Sequence, residues 1–158
     1  MKIENLKLKS PAFPDRGKIP NKYGFTAENV NPPLKIENVP PDTESLALIM
    51  DDPDAFEEQE RAWDHWIVWN IDPETREIPE NSIPENARLG KNDFGERNYG
   101  GPNPPDQVHT YRFRLFALDK ELDLPESAAR KAVEATMKNH IIDQAQLMGK
   151  YAPWQPSR

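Results

Sequence analysis

The chain has 158 residues, 36% hydrophobic and 30% charged, which suits one domain over 1–158 with a buried core of its own. A formal net charge of -7 argues against a nucleic-acid partner, whose affinity comes from Lys and Arg meeting phosphates, and no run approaches the roughly 20 apolar residues of a membrane span. With no cysteine there is no disulfide, no thiolate nucleophile and no thiolate metal site.

The opening stretch MKIENLKLKS alternates charge with Ile and Leu and lacks an apolar signal core, so a cytoplasmic protein is expected. Seventeen prolines, no cysteine and many charges also fit a heat-adapted, thermostable source. Pro32-Pro33 and Pro40-Pro41 separate short apolar runs, and proline cannot sit in a central strand. Residues 45–51 (SLALIMD) and 65–71 (HWIVWNI) read as strands, too short and too apolar for surface helices. The stretch 72–98 is polar and loop-like, either covering a site or simply connecting. After Pro104-Pro105, residues 109–118 (HTYRFRLFAL) alternate as a strand. In 125–150, Ala132, Met137, Ile141, Ala145 and Met148 recur at helical spacing, with Ser127 as a cap and Gly149 as a stop, which predicts one or two helices. Short strands between proline turns predict a mainly β fold, an antiparallel sandwich or barrel with Pro-rich loops and C-terminal helices.

Side chains alternate across a strand, so parity tells which residues share a face. Leu46, Leu48, Met50 and Asp52 share one, as do His65, Ile67, Trp69 and Ile71, and His109, Tyr111, Phe113, Leu115 and Ala117. Each face is apolar with an Asp or a His at one end. If the three meet at one core, two imidazoles, a carboxylate and a phenol gather at its rim.

The segments SPAFPDRGKIPNKY (10–23), NPPL (31–34), SLALIMDDPDA (45–55), WDHWIVWNI (63–71), YGGPNPPDQVHTYRFRLFALD (99–119) and QLMGKY (146–151) occur in that order. Together they resemble the phosphatidylethanolamine-binding protein (PEBP) family, in its small bacterial and archaeal Raf kinase inhibitor-like branch. The resemblance implies a sandwich of two antiparallel sheets, a C-terminal helix and an anion pocket. It puts the pocket carboxylate on Asp52, the histidines on His65 and His109, the aromatic hydroxyl on Tyr111 and the flanking tryptophan on Trp63. A glycine-proline wall falls on Gly100, Gly101, Pro104 and Pro105. The chain departs from the family pattern at Glu60, where eukaryotic members carry an aromatic, at Asn103, where this branch often has cysteine, at Gln107, which loses a turn glycine, and at Thr110, inside the usual H-R-Y.

Such a pocket would bind a phosphate-like small anion or a phosphorylated head group through imidazole, phenol and backbone donors, without cofactor or metal. Asp52 would accept from one histidine and leave its other nitrogen to donate, and the imidazoles would charge near pH 6.5, so binding should tighten below about pH 7. An X-Pro bond within 102–105 is a candidate for the cis form. The resemblance adds a protein kinase or protease as a partner class, and a second copy of the chain is another candidate. The competing reading is a hydrolase or metal-dependent enzyme using Asp52, His65 and His109. Other residues read as structural. His140 sits within a predicted helix, Trp66 and Trp69 pack in the core, Asp51, Asp52 and Asp54 lack the glycine and glutamate of a calcium loop, Arg112 and Arg114 look solvated, and Glu57, Glu58 and Glu60 make a solvated run.

Overall fold

The computed structural model describes residues 5–55, 62–105 and 107–153; Glu57, Glu58 and Glu60 lie outside them. Nine strands and one α-helix follow in chain order among the described residues: β1 Lys7–Lys9, β2 Gly17–Lys18, β3 Leu34–Glu37, β4 Ser45–Asp52, β5 Trp63–Ile71, β6 Glu77–Ile78, β7 Arg88–Leu89, β8 His109–Leu118, α1 Arg130–Met137 and β9 Ile141–Tyr151. They form a three-stranded sheet, β1-β3-β6, and a six-stranded sheet, β2-β9-β8-β4-β5-β7. The large sheet is not purely antiparallel as expected, because β2 joins β9 in parallel register, Gly17 opposite Gly149. The fold is mainly β, with two sheets and one helix among the described residues.

Both faces of the large sheet are covered, which is why β4 is buried along its whole length. On one face Leu46, Leu48, Met50, Phe113 and Leu115 share a core with Leu8, Leu34, Ile36 and Ile78 of the small sheet. On the other, Ala47, Ile49, Ile67, Trp69 and Phe116 pack against Val133 and Met137 of α1.

Two expectations are corrected here. Half of the stretch read as helical is the strand β9, which pairs with β8 from His109 opposite Tyr151 to Leu118 opposite Ile141. The helix stops after Met137, Asn139 turns the chain with φ 71°, and Ile141-Ile142 opens a run whose Leu147, Gly149 and Tyr151 point inward at period two. The ladder offered by β8 outweighs the helical spacing. Gly149 therefore ends no helix. A Cβ there would lie 2.5 Å from Ile19 Cγ1, so the glycine lets the 13–19 segment lie directly on β9. Ser127 caps nothing, since Ala129 is the N-cap and makes no side-chain bond. His140 lies in the turn rather than in a helix and bonds Asp119 Oδ1 at 2.9 Å.

The second correction concerns β5. Met50 faces Trp66 and Asp51 faces Asp64, so His65 is an extra residue with no partner in β4. A second irregularity lies between Leu46–Ile71 and Leu48–Val68, where Asn70 has φ 55°. Each bulge inverts the parity. His65, Trp66, Val68 and Ile71 face the inter-sheet side, whereas Ile67 and Trp69 face α1. The parity reading holds for β4 and β8 and fails for β5.

Candidate functional site

Asp52 ends β4, and Pro53 stops the ladder at once, because it has no N–H to donate. The chain turns through Pro53–Ala55, and the Asp54 N–H donates to Asp52 Oδ1 at 2.9 Å. Asp54 Oδ2 in turn accepts the Thr110 N–H at 2.7 Å, tying this turn to the start of β8. There His109 Nδ1 donates to Asp52 Oδ2 at 2.5 Å, so both carboxylate oxygens of Asp52 are engaged.

The bulge aims His65 to the same side. Its Nδ1 donates to the Gly100 carbonyl at 2.7 Å, and the Gly100 N–H returns a bond to the His65 carbonyl at 2.9 Å. The ring stands between two perpendicular aromatics, Tyr111 at 5.2 Å and Phe94 at 5.3 Å. Phe94 stacks on Phe25 at 4.4 Å and meets Trp63 edge-on at 5.8 Å. Asn92 shapes the turn that presents Phe94. Its Oδ1 accepts the N–H groups of Phe94 and Glu96, and its Nδ2 donates to the carbonyls of His65 and Asn98.

The wall from Tyr99 to Pro105 is docked on residues 23–29. Tyr99 Oη donates to the Tyr23 carbonyl at 2.8 Å, the Gly101 N–H to Asn29 Oδ1 at 2.7 Å, and the Phe25 N–H to the Pro102 carbonyl at 2.9 Å. No peptide bond among the described residues is cis, so the expectation for 102–105 is not met.

These elements enclose a cavity of about 230 Å³ lined by Asp52, Ala55, Trp63, His65, Phe94, Asn103, Pro104, Pro105, His109 and Tyr111. Seven of the nine expected residues are there. Gly100 and Gly101 are not; they belong to the wall but do not line the cavity. A Cβ on Gly100 would lie 2.4 Å from the Phe94 ring, and one on Gly101 only 2.1 Å from the Tyr23 carbonyl oxygen. Their missing side chains make room for protein, not for ligand. Phe94, Ala55 and Asn103 are lining residues that the sequence reading did not assign. For Phe94 the available signal was a lone aromatic in the polar stretch 72–98.

The electrostatics differ from the expectation. Complete burial pushes the His65 imidazole down to about 4, against the pull of the Gly100 and Gly101 carbonyls, so it does not charge near pH 6.5. Burial likewise raises the Asp52 carboxyl, opposed by the bond from His109. Burial, then the charge of Asp52, pushes the Tyr111 phenol well above its usual range, against a backbone hydrogen bond at Asn103, and Tyr111 stays a neutral O–H. The bond to Asp52 places an N–H on His109 Nδ1. With Nδ1–H directed at the carboxylate, a neutral ring has a lone pair on Nε2. Among the described residues no group of three His, Asp or Glu side chains is placed to hold a metal ion.

The opposite face of the same strands carries an ionic network. Asp51, with 0% exposure, accepts from Arg112 Nε at 2.6 Å and Nη2 at 3.0 Å, and from Arg114 Nη2 at 3.2 Å. Arg130 of α1 joins Asp64 at 2.7 Å and Glu134 at 2.6 Å. Arg112 and Arg114 are thus engaged supports rather than solvated charges.

The family model of the phosphatidylethanolamine-binding proteins matches residues 9–152. The chain belongs to that family. A UPF0098 protein of Methanothermobacter thermautotrophicus is 44% identical over 152 residues, covering 92% of this chain and 98% of its own length. A UPF0098 protein of Pyrococcus horikoshii is 42% identical, covering 94% and 78%. Among solved structures, a PEBP homologue from Chlamydia trachomatis superposes with a TM-score of 0.88 at 35% identity, covering 97% of this chain and 99% of the other. YbcL of E. coli, a member of the mammalian PEBP family, gives 0.87 at 26% identity, covering 96% and 100%. No described helix is long and apolar enough to cross a membrane.

Proposed function

We propose that this PEBP-family chain, built as a sandwich of its two sheets, is a cytoplasmic binding protein for a small phosphorylated head group or similar oxyanion. The observation that carries the reading is the convergence of Asp52, His65, His109 and Tyr111 from three strands on one open cavity beside Trp63. At about 230 Å³ it lies below the roughly 300–1,000 Å³ of sites for drug-sized ligands, which favours a head group over a whole lipid. Binding rather than catalysis is favoured because the described lining residues include no Ser, Thr, Cys or Lys, and both oxygens of Asp52 already accept hydrogen bonds. Kinase or protease modulation would be a consequence of such binding or of the outer surface. A pull-down with phosphate-loaded and apo protein separates the two.

Calorimetric titration with inorganic phosphate and phosphoethanolamine at pH 6 tests the reading. Saturable heats are expected for the wild type, with affinity about tenfold or more lower for Tyr111→Phe and His65→Ala, each of which loses a buried polar contact. Equal heats for all three proteins would discard the site. A hydrolase reading is favoured only by the Asp52–His109 pair, which has the geometry of an oriented general base. Turnover of a chromogenic phosphate ester that is lost in His109→Ala would support it.

A further inference from the structure

The hydrogen-bonding polarity of the cavity points to the protonation state of what enters it. A carbonyl oxygen only accepts, so the 2.7 Å contact with Gly100 puts the proton of His65 on Nδ1. The remaining ring nitrogen, Nε2, is a lone pair on a residue that lines the cavity. The two perpendicular rings, Phe94 and Tyr111, and the returning Gly100 N–H hold that orientation.

We propose, building on the oxyanion reading above, that the cavity selects oxyanions that still carry a proton: inorganic phosphate or a phosphate monoester, bound with one P–O–H donating to His65 Nε2. A fully deprotonated oxyanion brings only acceptors. It would set an oxygen against the Nε2 lone pair and its full charge against Asp52, with Tyr111 as the neutral donor. Moving one proton onto the ligand converts the first clash into a hydrogen bond and removes one charge from the second.

The titratable groups around His65 come from several elements. Asp52 and His109 line the same cavity, Tyr111 meets the ring edge-on at 5.2 Å, Asp64 precedes His65 on β5, Asp93 comes from the 92–98 turn, and Asp51 lies on the far face with Arg112, Arg114 and Arg130. The carboxylates Asp51 and Asp93 pull the imidazole toward its charged form, yet burial outweighs them and keeps it neutral above about pH 4. Near neutrality the proton arrives with the ligand. A phosphate monoester has its second pKa at about 6 and can bring it. Sulfate and phosphodiesters have none to bring.

The test is calorimetry on the full chain with phosphate, sulfate, methyl phosphate and dimethyl phosphate between pH 5.5 and 8.5, in two buffers of different ionisation enthalpy. Phosphate and methyl phosphate are expected to bind, with affinity falling about tenfold per pH unit above the second pKa of the ligand and close to one proton taken up there. Sulfate and dimethyl phosphate are expected on the order of 100-fold weaker. In His65→Gln the amide can turn its N–H₂ inward, which should bring sulfate close to phosphate. Wild-type affinities for sulfate and phosphate within a factor of about 3, or binding without proton uptake, would overturn the proton requirement and leave the oxyanion site standing. If none of the four ligands binds at any pH, the oxyanion reading itself falls and this inference with it.

Discussion

Complete burial gives His65 a role in stability that an acid titration can measure. Its folded pKa of about 4 lies below the value of 6.5 for an exposed imidazole, so the unfolded chain takes up a proton before the folded one does. The contribution is fully present above about pH 6.5 and is lost as the pH falls toward 4, a span of about 3 kcal/mol. Asp64 acts in the opposite sense. Burial, against Arg130, raises its carboxyl to about 6, so protonation below pH 6 favours the folded state. A wild-type acid titration therefore mixes two signs. Comparing it with His65→Gln isolates the imidazole, and the stability difference between the two proteins should shift by about 2–3 kcal/mol from pH 7 to pH 4.5 in denaturant titrations. A constant difference would refute the burial argument. At this scale the placement of Asp52, His109 and Tyr111 on the cavity was legible from strand-end parity, and that of His65 from the motif alone, because its strand is bulged. Phe94 was not, because the 92–96 turn that places it against His65 is anchored by Asn92 Nδ2 donating to the His65 carbonyl, a contact between distant parts of the chain.

The strand β4 shows how one element serves two faces. Asp51 and Asp52 are consecutive, so one points to the arginines and the other to the cavity. Asp51→Ala would leave Arg112 and Arg114 without their shared carboxylate. The expected cost is about 3 kcal/mol, at the low end for a broken buried pair because Arg112 keeps partial access to water. Chemical denaturation measures it, and a loss under about 1 kcal/mol would mean that Glu134 takes over both guanidiniums. Alternation in β4 and β8 was readable because both strands run in regular register over their central residues. In β5 the pattern broke at His65 and Asn70, and nothing local in WDHWIVWNI marks a bulge. The misread second half of 125–150 has the same origin. Helical spacing is a local property, whereas the free edge of β8 that recruits β9 is supplied by the fold.

On the scale of the molecule, the site depends on how closely its wall lies on residues 23–29. A methyl group on Gly101 would meet backbone atoms of Tyr23 and Gly24, at 2.1 and 2.8 Å, and neither can swing aside as a side chain would. Gly101→Ala should cost about 2 kcal/mol, a fall in Tm of about 4–8 °C, and should weaken phosphate binding by shifting Pro104 and Pro105. Unchanged melting would show that the wall yields without strain. The β-rich class was legible from proline punctuation and short apolar runs and the two sheets only through the family resemblance, while the parallel docking of β2 depends on Gly17 meeting Gly149 across 132 positions of chain and leaves no local trace. Because the lining runs from Asp52 to Tyr111, and Tyr111 is itself paired with Gly149, a polypeptide leaving the ribosome N-terminus first cannot close this cavity until residue 149 has been made.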